Sequence, residues 1–420
     1  MTGLTAEAGS GDAMPSPVRR CPRSVVPTHS TAALLLAEPF RLFFPWAMLC
    51  GISGALLWPA FYAHLIPWYP GLVHARIMIE SLGGGFVLGF LATSLPRMLG
   101  AKPFAPWPIA LLAAFHAASW GALMAGNSRL GDALFAAALS WLAAMTIDRF
   151  LRRTDLPPPS FFLVAAGVSA GLFGSLVSAA GWDLTGPPWL WRFGRLALQQ
   201  GFLIPPVLGV SAFLLPRILQ LPSRASFPDG RLPSARWCLH AAAAAAVGGL
   251  ILSSLVIESI GWERSANGLR SIVVLAWLGW MLPGWWKVRA GGTQAWAARV
   301  ALACLASGLL LRAILPVEWN RVLGLEHIVF IGGYGVIFIA VGARITHGHS
   351  GQRTLAAGKS IALRWIVWLV LVAMATRASA DYFPRIVMSH HIYAALLWAV
   401  AAGVWLIWLA GAWLRPDPEG

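Results

Sequence analysis

Runs of roughly twenty mostly apolar residues, the length a helix needs to cross a bilayer core, recur from residue 42 to residue 413. They fall at about 42–63, 74–95, 107–125, 130–148, 161–181, 196–215, 237–257, 269–286, 297–315, 324–343, 363–383 and 389–413. The runs are continuous rather than alternating, which excludes a membrane barrel. Charged residues make up only 11% of the chain, against about 25% in soluble domains. The expected fold is an all-α polytopic membrane protein of about twelve transmembrane helices, residues 38–415 forming one membrane domain. Residues 1–37, rich in Ser, Pro, Thr and Ala, read as a disordered tail, and 416–420 as a second tail.

A net charge of +15 raises the question of nucleic acid, but no basic stripe lies on a polar domain, and that partner is excluded. With the N-terminus inside, cytoplasmic segments and helix ends hold Lys and Arg two-to-one over the far side. That bias sets the orientation, and twelve spans then bring both termini to the cytoplasm. The partner is the lipid bilayer. Cys21, Cys50, Cys238 and Cys304 are scattered without a CxxC and predict no disulfide framework.

The second span carries VLGFLATSLPRML (87–99) and the sixth VLGVSAFLLPRIL (207–219), an offset of 120 residues. The tenth, FIGGYGVIFIAVGARI (330–345), matches mainly by its glycines and Arg344. The pattern predicts three repeats of four helices, about 38–153, 154–289 and 290–415. With Arg97, Arg217 and Arg344 in register, Glu80, Gln200 and His327 each stand seventeen residues upstream. Ionisable groups within spans face a bundle interior or water, so either these three form a polar ring where the repeats meet or each hydrates at the interface. Gly85 and Gly89 form a GxxxG that favours close helix packing, and Pro205 and Pro206 interrupt the sixth span.

The histidines divide by depth. His64, His74, His327, His390 and His391 fall at outer helix ends, whereas His240, His347 and His349 fall on the cytoplasmic side. His116 lies about 14 Å into its helix. His327 and His347 share one helix about 30 Å apart and cannot share a metal. In the outer set, His74, His327, His390 and His391 are candidate metal ligands, since imidazole suits Cu, Fe and Zn. Met78 shares a helix face with His74 and offers a soft ligand, packing being its alternative role.

Three stretches together resemble the NnrS family: EPFRLFFP (38–45), YPGLVHARIMIESLGGGFVLGFLATSLPR (69–97) and EHIVFIGGYGVIFIAVGARITHGHSGQ (326–352). The resemblance implies a bacterial inner-membrane protein containing haem and copper, made in response to nitric oxide and nitrosative stress. His74, His327 and His349 match family histidines, without deciding which cofactor each meets. Many relatives have a second histidine where this chain has Arg76, so either a ligand is absent or Arg76 engages a haem propionate. For His349, a ligand role and a cap on helix carbonyls stand side by side. No acid–base pair or nucleophile constellation points to a reaction. The competing expectation is a metal-free transporter or channel, which internal repeats, a proline-broken span and a central polar ring would also fit.

Overall fold

The computed structural model describes residues 31–224, 227–228, 230–287, 291–315, 319–352 and 358–416. Residues 1–30 and 417–420 of the two expected tails lie outside this set. Thr31–Ala37, placed in the first tail by the sequence, is a short helix with Leu34 buried.

Among the described residues there is no strand, and twelve long helices carry the fold. They are α1 (Phe40–Tyr62), α2 (Gly71–Met98), α3 (Pro106–Met124), α4 (Ser128–Leu151), α5 (Phe161–Ala179) and α6 (Pro188–Leu219). Next come α7 (Ala235–Ser259), α8 (Glu263–Met281), α9 (Thr293–Ile314), α10 (Arg321–His349), α11 (Ile361–Ala380) and α12 (Pro384–Trp413). Eleven are long and apolar enough to cross a membrane. The other, α8, opens on Glu263 and Arg264 and carries Arg270, and it starts six residues before the span expected at 269–286. Glu263 in its first turn favours that earlier start, because an acid there complements the helix dipole.

Taken four at a time in chain order, the helices give the quartets α1–α4, α5–α8 and α9–α12. α4 packs on α5, α8 on α9, and α12 returns to α1, closing the bundle. The second helix of each quartet is central: 83% of the apolar window of α2 is buried, and 67% in both α6 and α10. In the third helices, α3, α7 and α11, the figure is 33%. Each central helix also contains a π-helical segment, at Ile77–Gly83, Ala197–Gly201 and Ile328–Gly335. Such segments are rare and concentrate at functional sites. Pro205 and Pro206 sit in the first turn of the α-helical stretch that follows the second of them, where a missing N–H costs no helix bond.

Glycine sets the close approaches. A Cβ on Gly85 would stand 2.7 Å from that of Ala47, and one on Gly89 2.7 Å from that of Phe43, so this GxxxG seats α2 against α1. Gly209 faces backbone: a Cβ there would lie 2.6 Å from the Ser160 carbonyl oxygen. Gly209→Ala is expected to destabilise the bundle by about 1–3 kcal/mol through overpacking. Gly249→Ala, with nothing within 4 Å of the added carbon, is expected not to. Thermal unfolding of detergent-purified protein checks both.

Candidate functional site

Three of the outer histidines converge on one end of the bundle. Gly54 lets α1 and α2 touch, for a Cβ there would be 2.7 Å from Ile77 Cγ2. At that contact His74 Nδ1 donates to the Gly54 carbonyl at 2.9 Å. His327 Nδ1 donates to the Leu323 carbonyl at 2.6 Å. A carbonyl only accepts, so both rings carry their proton on Nδ1 and keep the Nε2 lone pair. His391, on α12, places Nδ1 3.0 Å from the Tyr62 hydroxyl. Its Nε2 is buried with no hydrogen-bond partner among the described residues. Trp58 packs against His391 and His74, with ring centroids 4.6 and 5.9 Å away. His327 lies close enough to His74, His391 and Arg377 to interact with each electrostatically.

A histidine that ligates metal usually has its other ring nitrogen fixed by a protein group, and this arrangement recurs three times here. The orphaned Nε2 of His391 fits a ligand position. Among the described residues, no three His, Cys, Asp or Glu side chains are gathered closely enough to hold a metal ion. The donor set therefore suits a centre that takes one or two protein imidazoles, as haem iron does. Among the described residues it does not bring together three such side chains for a copper ion.

The remaining expected residues lie elsewhere. His64 is exposed, with a φ of +58°. His390 faces Ser389 and Tyr393. Met78 brings its sulfur to Gly54 and packs against the apolar core. Arg76 turns to α4 and α5, pairing with Asp132 at 2.9 Å and donating to the Ser178 hydroxyl at 2.7 Å, with Glu80 at 3.6 Å. Its guanidinium is thus occupied by protein acceptors. Fully buried His116 sits 3.2 Å from the Glu80 carbonyl.

The ring expected from Glu80, Gln200 and His327 separates into three settings. Glu80 belongs to the Arg76–Asp132 group. Gln200 contacts Arg270 and donates to Glu326 at 3.1 Å. Glu326 neighbours His327 in sequence but lies about 100° around the helix, so the two side chains serve different faces. Sequence reasoning missed the network around Gln200. Glu258 pairs with Arg270 at 2.6 Å and Arg312 at 3.1 Å, and Arg312 lies 3.6 Å from Glu326. Opposite charges within neighbouring spans were the available signal.

His349 lies about 33 Å from His327 along α10. Its Nδ1 is 2.7 Å from Glu38, its Nε2 3.1 Å from Arg97, and its ring 4.9 Å from Phe40. The helix carbonyls are capped by another residue. Arg41, 1% exposed, donates to the His349 carbonyl at 2.9 Å and to those of Ala412 and Trp413 at 3.0 and 2.9 Å. It also pairs with Glu38 at 2.6 Å. His347 bonds Gln352 at 2.8 Å. Arg217 lies over the Phe213 ring at 5.1 Å, and Arg344 is half-buried.

Burial raises the Glu38 carboxyl pKa, but the hydrogen bond and charge of His349, with those of Arg41, outweigh it and hold the value at about 2 against the usual 4.5. This group therefore stabilises the fold fully above pH 4.5 and stops doing so as pH falls toward 2. Compared with chains of known family, residues 34–416 match the family model described as NnrS protein. No curated protein matches the chain. Two outcomes follow from the Glu38 geometry. Glu38→Gln should remove stability on the order of 3 kcal/mol at neutral pH and flatten the acid limb of a pH–stability curve. Arg41→Ala, which strands three helix-end carbonyls and removes one partner of the buried Glu38 carboxylate, should cost about 3–5 kcal/mol in the same unfolding assay.

Proposed function

Because the chain belongs to the NnrS family, we propose that it is a bacterial inner-membrane haem and copper protein of the response to nitric oxide and nitrosative stress. His74, His327 and His391 are the imidazoles from which its haem iron would take one or two ligands, and the copper rests on the family alone. The observation that carries this reading is the trio of outer imidazoles, each fixed through Nδ1, with the Nε2 of His391 buried and unpartnered. A haem held by these imidazoles would supply redox chemistry and a coordination position for a small ligand. The chain's own residues hold the imidazoles in the required tautomer, and Trp58 and Tyr62 brace the His391 ring. The Lys and Arg bias supports cytoplasmic termini and a periplasmic histidine end. The closed ring of quartets and the three π segments support related four-helix units at about 38–153, 154–289 and 290–415.

A metal-free transporter or channel draws on a different observation, the ion network of Gln200, Glu258, Arg270, Arg312 and Glu326 inside the bundle. Optical spectra decide between the two. Purified protein should show a Soret band and contain copper by elemental analysis; His74→Ala, His327→Ala and His391→Ala should each lower haem absorbance. A folded, colourless, metal-free preparation overturns the cofactor reading. An unchanged spectrum in all three variants overturns the ligand assignment alone.

A further inference from the structure

A buried acid in α2 has no donor to satisfy it. Glu80 is 0% exposed, and neither of its carboxylate oxygens meets a hydrogen-bond donor among the described residues. The group across from it is a second acid. Asp132 of α4, 2% exposed, stands within hydrogen-bonding reach of the Glu80 carboxyl. Arg76 is the cation they share, its Nε 2.9 Å from Asp132 and 3.6 Å from Glu80. Another arm of that guanidinium is spent on the Ser178 hydroxyl of α5.

The other neighbours bring no compensating charge. Among the described residues, Asp132 and Arg76 are the charged groups that act on Glu80. His116 of α3 directs its Nε2 to the Glu80 carbonyl, and its Nδ1 is buried without a hydrogen-bond partner among the described residues. From α1, Gly51 and Gly54 face this segment, with the Cys50 thiol in the same apolar cluster as Ile77. From α6 it meets Leu203.

Two carboxylates against one guanidinium leave one negative charge in excess. Carboxylates in contact cannot both ionise, and an uncompensated charge is costly away from water. A proton on either acid removes the excess and gives the other acid's oxygen a donor. The network of α7–α10 has no such need, since Glu258 and Glu326 face Arg270 and Arg312. Glu80 also lies within the π segment Ile77–Gly83, a geometry that concentrates at functional sites, and acids inside membrane helices mark proton relays. We infer that Glu80 and Asp132 form a proton-binding site, which takes up and releases one proton shared between them beside Arg76. Only an O–H bond forms or breaks, and solvent supplies and receives the proton. A sodium ion would balance the same charge but would have to sit against the Arg76 guanidinium. The site does not depend on a bound cofactor.

Infrared spectroscopy of the full-length protein in an ester-free detergent reads the proton directly. A protonated carboxylic acid has a carbonyl stretch that carboxylates lack, and the stretch shifts down when deuterium replaces the hydrogen. Wild-type protein at neutral pH should show this band and its shift in D2O. Glu80→Gln and Asp132→Asn should each remove the intensity of one carboxylic acid, because either leaves a single carboxylate balanced by Arg76. A Glu80 protonated through burial alone would instead keep its band in Asp132→Asn. Thermal unfolding establishes that each variant is folded; should one fail, the other carries the same test, and the wild-type band and its shift stand apart from both. No acid band in wild type, as a sodium ion or a proton on His116 would give, overturns the inference. So does a band that stays in place after full exchange into D2O, or one that survives in either folded variant.

Discussion

The guanidinium of Arg41 is the interaction on which the arrangement of this bundle depends. The last carbonyls of a helix have no partner within it, and inside a membrane no water replaces one. Arg41 answers this for two helices together, donating to His349 at the end of α10 and to Ala412 and Trp413 at the end of α12. Glu38 balances its charge and draws in Arg97 and His349. The start of α1 is closed from α2, where the Thr93 hydroxyl accepts from the Phe40 amide at 2.9 Å. Four helices are thereby fixed at one end. Three of them, α2, α10 and α12, carry His74, His327 and His391 toward the other end. A distance of some 30 Å separates the fastening from the imidazoles, and rigid helices transmit the alignment.

Charge inside the bundle is handled by local neutralisation. Glu258 and Glu326 face Arg270 and Arg312, with the Gln200 amide bridging between them. Ion pairs of this kind contribute little net stability, yet removing one partner is costly. They therefore act chiefly as constraints on which helices adjoin. Glu258, Arg270, Arg312 and Glu326 come from α7, α8, α9 and α10, so the group specifies how the second and third quartets meet.

Much of the fold was legible because a membrane imposes length and polarity on every span. Eleven of the expected spans correspond to apolar helices, and α8 was the difficult one: its charges made the run look as if it began near residue 269. The site was harder. Depth along a helix can be counted from sequence, which sorted His327 from His349 correctly, but azimuth cannot be read through a π segment. That is why Glu80, Gln200 and His327 share a depth without sharing an environment, and why Glu326 rather than His327 meets Gln200. Arg41 was visible only as part of EPFR. Its role needs the ends of two helices more than 300 residues away.

The π segments in α2, α6 and α10 have a consequence of their own. An inserted residue within a helix turns everything beyond it by about 100° while leaving the axis in place. Each central helix therefore has two independent phases, one for the half bearing polar side chains and one for the apolar half that follows. A single insertion or deletion at such a joint would rotate one half against a stationary other. Such a joint lets the polar half change its facing while the apolar packing of the other half keeps its shape.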